Sequence, residues 1–221
     1  VSVIVPAYKE EMVITRTIET LIGQEYPGEL EVVVVDDGSP DATYEVARAA
    51  YGDHPRVRIY RKPNGGKASA LNLGLTYAQG EIVICLDADT LFAPNTVAEL
   101  VEPLHDPAVG AVAGNAKVGN RINLVTRWQA IEYVTSQNLE RRAFSLLNCI
   151  TVVPGAVGAW RKSLVEKAGG FSEDTLAEDQ DLTLSIRRRG FSIAYADEAI
   201  GYTEAPDSLR GLAKQRFRWS V

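Results

Sequence analysis

Two closely spaced aspartates follow the most apolar run of the chain. The run Ile82–Leu86 leads directly into Asp87-Ala88-Asp89, and on an extended segment a spacing of two puts both carboxylates on the same side. Converging oxygen ligands suit a hard cation such as Mg²⁺ or Mn²⁺, which takes one or two carboxylates and fills its other positions with water and phosphate. We therefore expect a metal site at Asp87 and Asp89 rather than an ordinary solvated loop.

A second acidic pair ends another apolar run, in Asp36-Asp37-Gly38-Ser39. Asp, Gly and Ser all favour the turns that follow strands, so this motif alone leaves a structural and a functional interpretation open. Pro6–Glu10 forms a similar turn after the first apolar run and carries an aromatic ring, Tyr8. Both turns are predicted to line one crevice.

The second half of the chain contains two further candidates. Glu178-Asp179 precedes the helical run Leu182–Arg188, where acidic residues complement the helix dipole, and this capping role is compatible with a catalytic one. The segment 215–219 reads Gln-Arg-Phe-Arg-Trp and combines forked donors for phosphate with a flat ring for a sugar. An amphipathic helix with a solvated basic face is the alternative for this segment.

Strands buried on both faces are predicted from near-continuous β-branched runs, which alternate with segments of helical periodicity. The predicted strands are Val1–Val5, Glu31–Val35, Val57–Tyr60 and Glu81–Leu86, and the predicted helices are Glu11–Gln24, Asp41–Ala50 and Lys67–Ala78. This alternation predicts an α/β fold with a Rossmann-like, mostly parallel sheet and helices on both faces. Ligands of such sheets bind beyond the carboxyl ends of the strands.

The second half has a less regular pattern. It predicts a helix near Pro94–Leu104, a strand near Val109–Asn115, a long helical stretch Asn123–Leu147 and shorter elements from Val152 onward. Neither a linker nor an internal repeat is evident in the sequence. We therefore expect a single domain.

The composition limits the possible functions. A formal net charge of -6 argues against binding of nucleic acid, which needs a positive surface. Cys85 and Cys149 lack the spacing of metal ligands, which fits a reducing compartment. The sequence contains neither an apolar stretch long enough to cross a bilayer nor a signal peptide, so the chain as given is expected to be soluble.

Taken together and in this order, the motifs resemble those of the family 2 glycosyltransferases, in particular the processive branch with cellulose, chitin, hyaluronan and poly-N-acetylglucosamine synthases. The matching elements are Asp36-Asp37-Gly38-Ser39, Asn64-Gly65-Gly66-Lys67 with Ala70-Leu71-Asn72, Asp87-x-Asp89, Gly155-Ala156 with Gly158, Glu178-Asp179, and Gln-x-x-Arg-Trp at Gln215, Arg218 and Trp219. Each element is modest, whereas the ordered set is specific. One departure is Ala177, where many relatives have Thr before the Glu-Asp pair.

The resemblance implies a GT-A fold, a UDP-sugar donor and Mg²⁺ or Mn²⁺ as the cofactor. It implies that Asp179 is the general base with Glu178 beside it, and that Asp87 and Asp89 bind the metal. Residues 1–116 would be the nucleotide-sugar-binding half and residues 117–221 the acceptor-binding half. The nucleotide-sugar site would comprise Pro6, Tyr8, Glu10, Asp36, Asp37, Lys67, Asp87, Ala88, Gln215 and Arg218. The acceptor site would comprise Trp219, Gly155 and Glu178.

The implied reaction is an inverting transfer from a UDP-sugar to the end of a growing β-linked polysaccharide. UDP-N-acetylglucosamine is the favoured donor and UDP-glucose the next. The parent protein would be held at the cytoplasmic face of the plasma (inner) membrane by segments outside this chain.

Three alternatives remain to be weighed. One is a non-processive transferase of single sugars. A sugar nucleotidyltransferase would need a glycine-rich, basic N-terminal loop, whereas Pro6–Glu11 is acidic. A non-enzymatic module with a decayed site would lack carboxylates, yet Asp87, Asp89 and Asp179 are all present.

Overall fold

One twisted sheet organises the chain. The structure is a computed structural model that describes residues 1–175 and 177–220, with all side chains except those of residues 137 and 218–220. Within this part, eight strands pair in the order β3-β2-β1-β4-β7-β6-β8-β5. The strands are β1 Ser2–Ala7, β2 Glu31–Asp36, β3 Val57–Arg61, β4 Ile82–Cys85, β5 Leu91–Phe92, β6 Val109–Val118, β7 Gly158–Arg161 and β8 Ser192–Thr203.

Helices cover both faces of the sheet. They are α1 Ile14–Ile22, α2 Thr43–Tyr51, α3 Lys67–Tyr77, α4 Thr96–Val101, α5 Leu124–Tyr133, α6 Arg141–Leu146, α7 Lys162–Ala168, α8 Glu178–Arg188 and α9 Leu209–Ser220. A 3₁₀ helix at Glu102–His105 extends α4, and a π-helix at Val134–Glu140 joins α5 to α6. None of the helices in the described residues is long and apolar enough to cross a membrane.

The first four strands are parallel neighbours, as the sequence predicts. Their continuous apolar character follows from burial on both faces: Val32 and Val34 pack in the same core cluster as Ile14 of α1, whereas Val33 and Val35 pack with Ala70 of α3. The predicted α/β architecture is therefore confirmed. Because β1, β2 and β4 run in the same direction, their carboxyl ends lie along one edge.

The second half departs more from its pattern. The predicted stretch Asn123–Leu147 is helical, but its middle turns follow the π geometry. The twelve-residue strand β8 was not predicted, because Asp197, Glu198 and Gly201 interrupt any apolar run. Its pairing with β6 contains two irregularities in register, which is typical of a bulged ladder.

Both halves contribute to one sheet. Strand β7 runs antiparallel between β4 and β6, so it joins the first four strands to the later ones. Residue 116 lies within β6, and the largest core cluster contains residues from Val3 to Ala205. The division of the chain at residue 116 remains a prediction about function.

Candidate active site

The turn after β1 is tied to the exit of β2. The Lys9 N–H donates to Ser39 Oγ at 3.0 Å, and the Glu10 N–H donates to Thr43 Oγ1 at 2.8 Å. Lys9 has a φ of 63°, a left-handed conformation that is uncommon for a residue with a side chain. The two bonds hold this conformation and leave the Tyr8 ring 44% exposed at the crevice.

The two aspartates at the end of β2 are both buried but have different partners. Asp36 accepts from the Ser39 N–H at 3.3 Å and lies 3.2 Å from Arg61 Nε. Asp37 Oδ1 is 2.7 Å from Lys62 Nζ, and its two oxygens accept the N–H groups of Gly65 and Gly66 at 3.0 and 2.7 Å. Asp37 therefore holds the loop that leads into α3.

The first residue of α3 is Lys67, which connects two acidic segments. Its Nζ lies 2.6 Å from Asp87 Oδ1 and 3.3 Å from Glu178 Oε1. The Lys67 side chain is 38% exposed. Its partial removal from water disfavours the charged form, but the charges of Asp87 and Glu178 outweigh that effect and hold the pKa of Lys67 above its ordinary value. Lys67 thus brings the exit of β4 and the start of α8 together.

Asp87-Ala88-Asp89 forms a tight turn after β4. The Thr90 N–H donates to the Asp87 carbonyl at 2.9 Å, and the Ala88 carbonyl accepts from Thr17 Oγ1 at 2.6 Å. Asp89 accepts only a 3.3 Å bond from Thr90 Oγ1 among the side chains that the structure describes. The Ala88 contacts anchor the turn, while the Asp89 carboxylate keeps most of its hydrogen-bonding capacity.

Electrostatic crowding distinguishes this turn. Burial, followed by the charges of Asp87 and Glu204, raises the pKa of Asp89 to about 6. Burial, followed by the charges of Asp89 and Glu204, raises the pKa of Glu10 to about 7. Repelling carboxylates with spare oxygens fit a divalent cation. A ready-made cage of three or more His, Cys, Asp or Glu residues is absent from residues 1–175 and 177–220, so a cation at Asp87 and Asp89 would need water or phosphate as further ligands.

The start of α8 is connected to the loop before β7. Asp179 Oδ2 accepts from the Gly155 N–H at 3.0 Å and its Oδ1 accepts from the Gln180 N–H at 2.8 Å. A Cβ on Gly155 would lie only 2.8 Å from Lys67 Nζ and 3.7 Å from Asp179 Oδ2. The predicted acceptor residue Gly155 therefore contacts the predicted base directly and leaves room for Lys67.

Most predicted site residues meet around this crevice, but α9 is described only in part. Pro6, Tyr8 and Glu10 lie at or just after the end of β1, between Asp36 at the end of β2 and the exit of β4. Gln215 lies on α9, and its Oε1 is buried without a hydrogen-bond partner among the described side chains. The predicted roles of Arg218 and Trp219 depend on side chains outside the described ones.

Sequence reasoning missed three charged residues near the crevice. Glu204 directly follows β8 and influences both Asp89 and Glu10, but its position was hidden because β8 itself was not predicted. Arg61 and Lys62 neutralise the buried aspartates after β2. Their only signal was their place at the end of the neighbouring strand β3.

Known proteins share this arrangement. The family described as "Glycosyl transferase family 2" matches residues 2–169. Proteins named poly-beta-1,6-N-acetyl-D-glucosamine synthase from Staphylococcus epidermidis and from Staphylococcus aureus strain COL are each 30% identical over all 221 residues. These matches cover 53% of either relative, so the chain spans about half the length of the curated relatives that it matches.

Solved structures agree on the fold. The mannosyltransferase PcManGT from Pyrobaculum calidifontis, in complex with GDP-Man and Mn²⁺, is 31% identical with a TM-score of 0.83, covering 99% of this chain and 60% of that one. S. aureus TarS 1-349 in complex with UDP-GlcNAc is 24% identical with a TM-score of 0.72, covering 96% and 60%. The GT-A fold is thereby confirmed. The chain belongs to glycosyltransferase family 2.

Proposed function

We propose that the chain is the catalytic domain of an inverting, metal-dependent transferase that moves a sugar from a UDP-sugar to the end of a growing β-linked polysaccharide. The observation that carries the proposal is the Lys67 bridge, which places the metal-type pair Asp87-x-Asp89 beside Glu178 and Asp179. UDP-N-acetylglucosamine is the first donor candidate, since the relatives that match the whole chain are named as synthases of poly-N-acetylglucosamine. UDP-glucose is the second.

In this proposal Asp179 is the general base. Its oxygens are oriented by the N–H groups of Gly155 and Gln180, and a carboxylate retains further lone pairs for a substrate hydroxyl. Asp179 removes the proton of the acceptor hydroxyl as that oxygen attacks the anomeric carbon opposite the departing UDP. Attack from the opposite face inverts the configuration and requires no covalent enzyme intermediate.

The donor is held by groups on both sides of the crevice. Tyr8, Glu10 and Asp36 contact the nucleoside, and Lys67 lies where its charge attracts the diphosphate. Mg²⁺ or Mn²⁺, held by Asp87 and Asp89, would supply positive charge that neutralises the diphosphate. The Mn²⁺ of the PcManGT complex supports this assignment. Gln215 and Arg218 of α9 would contact the same diphosphate.

The acceptor occupies the other half of the crevice. Gly155 and Glu178 border it, and Trp219 would stack on the acceptor sugar and retain the polymer between additions. Processive elongation is supported by the resemblance to processive synthases. The same resemblance supports attachment of the parent protein to the cytoplasmic face of the plasma membrane through segments outside this chain.

A donor panel tests the proposal. The chain is incubated with Mn²⁺, an oligosaccharide of N-acetylglucosamine and one of three donors, UDP-N-acetylglucosamine, UDP-glucose or GDP-mannose, and the released nucleotide is measured. We expect UDP release from UDP-N-acetylglucosamine to be fastest. GDP release alone would favour a mannosyltransferase of the PcManGT kind. Conversion of a UDP-sugar and added pyrophosphate into UTP and a sugar 1-phosphate would indicate a nucleotidyltransferase.

Asp179→Asn provides the matched catalytic control. We expect turnover to fall by about 10³-fold, the usual scale for loss of a general base, while UDP affinity stays within about twofold because Asp179 acts on the acceptor proton. Retained turnover would remove Asp179 from the role of base.

A further inference from the structure

Several large apolar side chains are exposed on the solvent side of the α5–α6 helical stretch. Leu124, Trp128, Ile131 and Leu139 are each between 64% and 69% exposed, and we call these four residues the outer face. Large apolar residues normally appear singly on protein surfaces, so a group of this size indicates an interaction site. The exposed side chains of Phe144, Leu146 and Leu147 continue it along α6.

The outer face is distinct from the face that packs on the domain. Thr126, Gln129, Ala130 and Tyr133 of α5 are buried against the rest of the chain. Leu124, Trp128 and Ile131 are spaced by four and three residues, which places them together on the opposite side of α5. This helix therefore has two apolar sides, of which the domain's own core uses one.

Positive charge is concentrated around the same surface. In residues 121–147 and 208–217, Arg121, Arg127, Arg210 and Lys214 are exposed and lack an ion pair with the described side chains, whereas Arg141 is buried and Arg142 and Arg216 pair with Asp197 and Glu132. Arg216 Nη2 lies 2.6 Å from Glu132 Oε2, so α9 is positioned beside α5. Although the chain has a net charge of -6, these four exposed basic residues outnumber the one exposed acidic residue without an ion pair on the same described segments, Glu140.

An open groove on this surface is lined by both basic and apolar residues. It has a volume of about 360 Å³ and is lined by Arg121, Arg127, Ala130, Ile131, Val134 and Thr135. Arg121 Nε donates to the Val118 carbonyl at 3.2 Å, and Arg127 forms no ion pair with the side chains that the structure describes. Guanidinium groups at an apolar groove match a ligand with a phosphate head and an aliphatic body.

We propose that the outer face, with Arg121 and Arg127 at its groove, docks on an anionic phospholipid surface. The partner is identified by charge complementarity, since basic residues around an apolar helical face bind phosphate headgroups while the apolar side chains enter the acyl boundary. Trp128 suits this depth because its ring is apolar and its N–H remains near the headgroups. This inference does not depend on the proposed reaction.

Vesicle cosedimentation tests the proposal directly. The 221-residue chain is mixed with vesicles of phosphatidylcholine alone or of phosphatidylcholine with phosphatidylglycerol, at low and at raised salt. We expect binding to the anionic vesicles to be at least about tenfold stronger and to weaken with salt, because exposed charges are screened. Equal binding to both vesicles, or none to either, would overturn the proposal.

Two double variants test the contributions of the basic and of the apolar residues separately. Arg121→Gln with Arg127→Gln is expected to weaken binding to anionic vesicles by about 25-fold, from about fivefold per arginine at a membrane surface. Trp128→Ser with Ile131→Ser is expected to reduce it by at least about tenfold on both vesicle types. Thermal melting verifies that the exposed substitutions leave the fold intact.

A control variant replaces one exposed apolar and one exposed basic residue elsewhere, as Met12→Ser with Arg188→Gln. This control should bind vesicles as well as the unaltered chain, and an equal loss in it would overturn the assignment to the outer face. Sedimentation velocity tests the competing occupant, a second copy of the chain. Self-association that Trp128→Ser with Ile131→Ser abolishes, without vesicle binding by the unaltered chain, would also overturn the proposal.

Discussion

The acidic pairs after β2 and β4 look alike in sequence but differ in their surroundings. Asp36 and Asp37 are 1% and 4% exposed, and both accept backbone N–H groups and face a basic side chain. In the second pair, Lys67 is the one cation that forms an ion pair among the described side chains, and it pairs with Asp87. Asp89 has a raised pKa. Both pairs follow parallel strands, β2 and β4, which flank β1 in the sheet.

The two pairs thus differ in whether their carboxylates hold the fold together or have oxygens left to bind a ligand. A carboxylate whose oxygens are all occupied by the protein fixes a loop, whereas one with spare oxygens and a raised pKa has capacity for a cation or a substrate. Asp37 exemplifies the first class because it holds the Gly65–Gly66 segment ahead of Lys67. Asp89 exemplifies the second. Substitutions in the two pairs should therefore have different consequences.

The largest effect is expected for Asp89→Asn. We expect Mn²⁺-dependent UDP affinity, measured by calorimetry with and without chelator, to fall by about 100-fold, because the amide loses the charge that attracts the cation. In the unaltered chain the affinity should also decrease below about pH 6, as the Asp89 carboxyl becomes protonated. UDP affinity that is equal with and without chelator in the unaltered chain would contradict the metal site.

The thermal stability of Asp89→Asn is the control for this predicted loss of UDP affinity. A carboxyl whose pKa is raised by folding lowers stability as the pH rises from its ordinary pKa through about 6. At pH 7.5 without metal, Asp89→Asn should therefore melt no earlier than the unaltered chain. A much earlier melt would place Asp89 with the supporting carboxylates.

Asp37→Asn is expected to lower the stability of the fold, in contrast to Asp89→Asn. The amide would place an N–H₂ group against a backbone N–H of Gly65 or Gly66 and would leave Lys62 without its countercharge. Urea unfolding should show a loss of about 2–3 kcal/mol, the scale for breaking a buried charged hydrogen-bond network. A stability equal to that of Asp89→Asn would remove the distinction between the two pairs.

The smallest effect is expected for Gly155→Ala, which probes the Lys67 bridge without deleting a charge. The added methyl would displace Lys67 Nζ, 2.8 Å away, but keep the N–H that orients Asp179. We expect kcat to fall by about tenfold with little change in thermal stability. Gly119→Ala, whose methyl meets Tyr202 at an ordinary 3.5 Å, should retain kcat within about twofold. Equal rates for the two variants would show that the position of Lys67 is unimportant.

The first half of the fold could be predicted because its strands are buried on both faces. Val32–Val35 are all buried, and such runs are recognisable without any tertiary information. The metal-type pair could also be predicted, because a spacing of two after an extended strand fixes the side of the carboxylates. These features depend on short segments alone.

The remaining features depend on contacts between distant segments. Strand β8 contains the adjacent charged residues Asp197 and Glu198 and is stabilised by its pairing with β6, about 80 residues earlier. Asp37 was predicted to bind the nucleotide sugar, and its bonds to Lys62, Gly65 and Gly66 become evident only in the folded loop. Glu204 could not be placed beside Asp89 because its strand had not been recognised.

The position of β8 between β6 and β5 has a consequence for biosynthesis. The β1–β3 units can form soon after they leave the ribosome, since β2 and β3 each pair with the strand made just before them, and β4 covers the other edge of β1 once residue 85 has been translated. The apolar strand β6 must instead wait longer, with both edges unpaired until β7 has been translated and with one edge unpaired until residue 203 has been translated. Nascent chains that stall within this interval would present that edge to other chains. The vulnerable period of folding thus falls in the synthesis of residues 119–203.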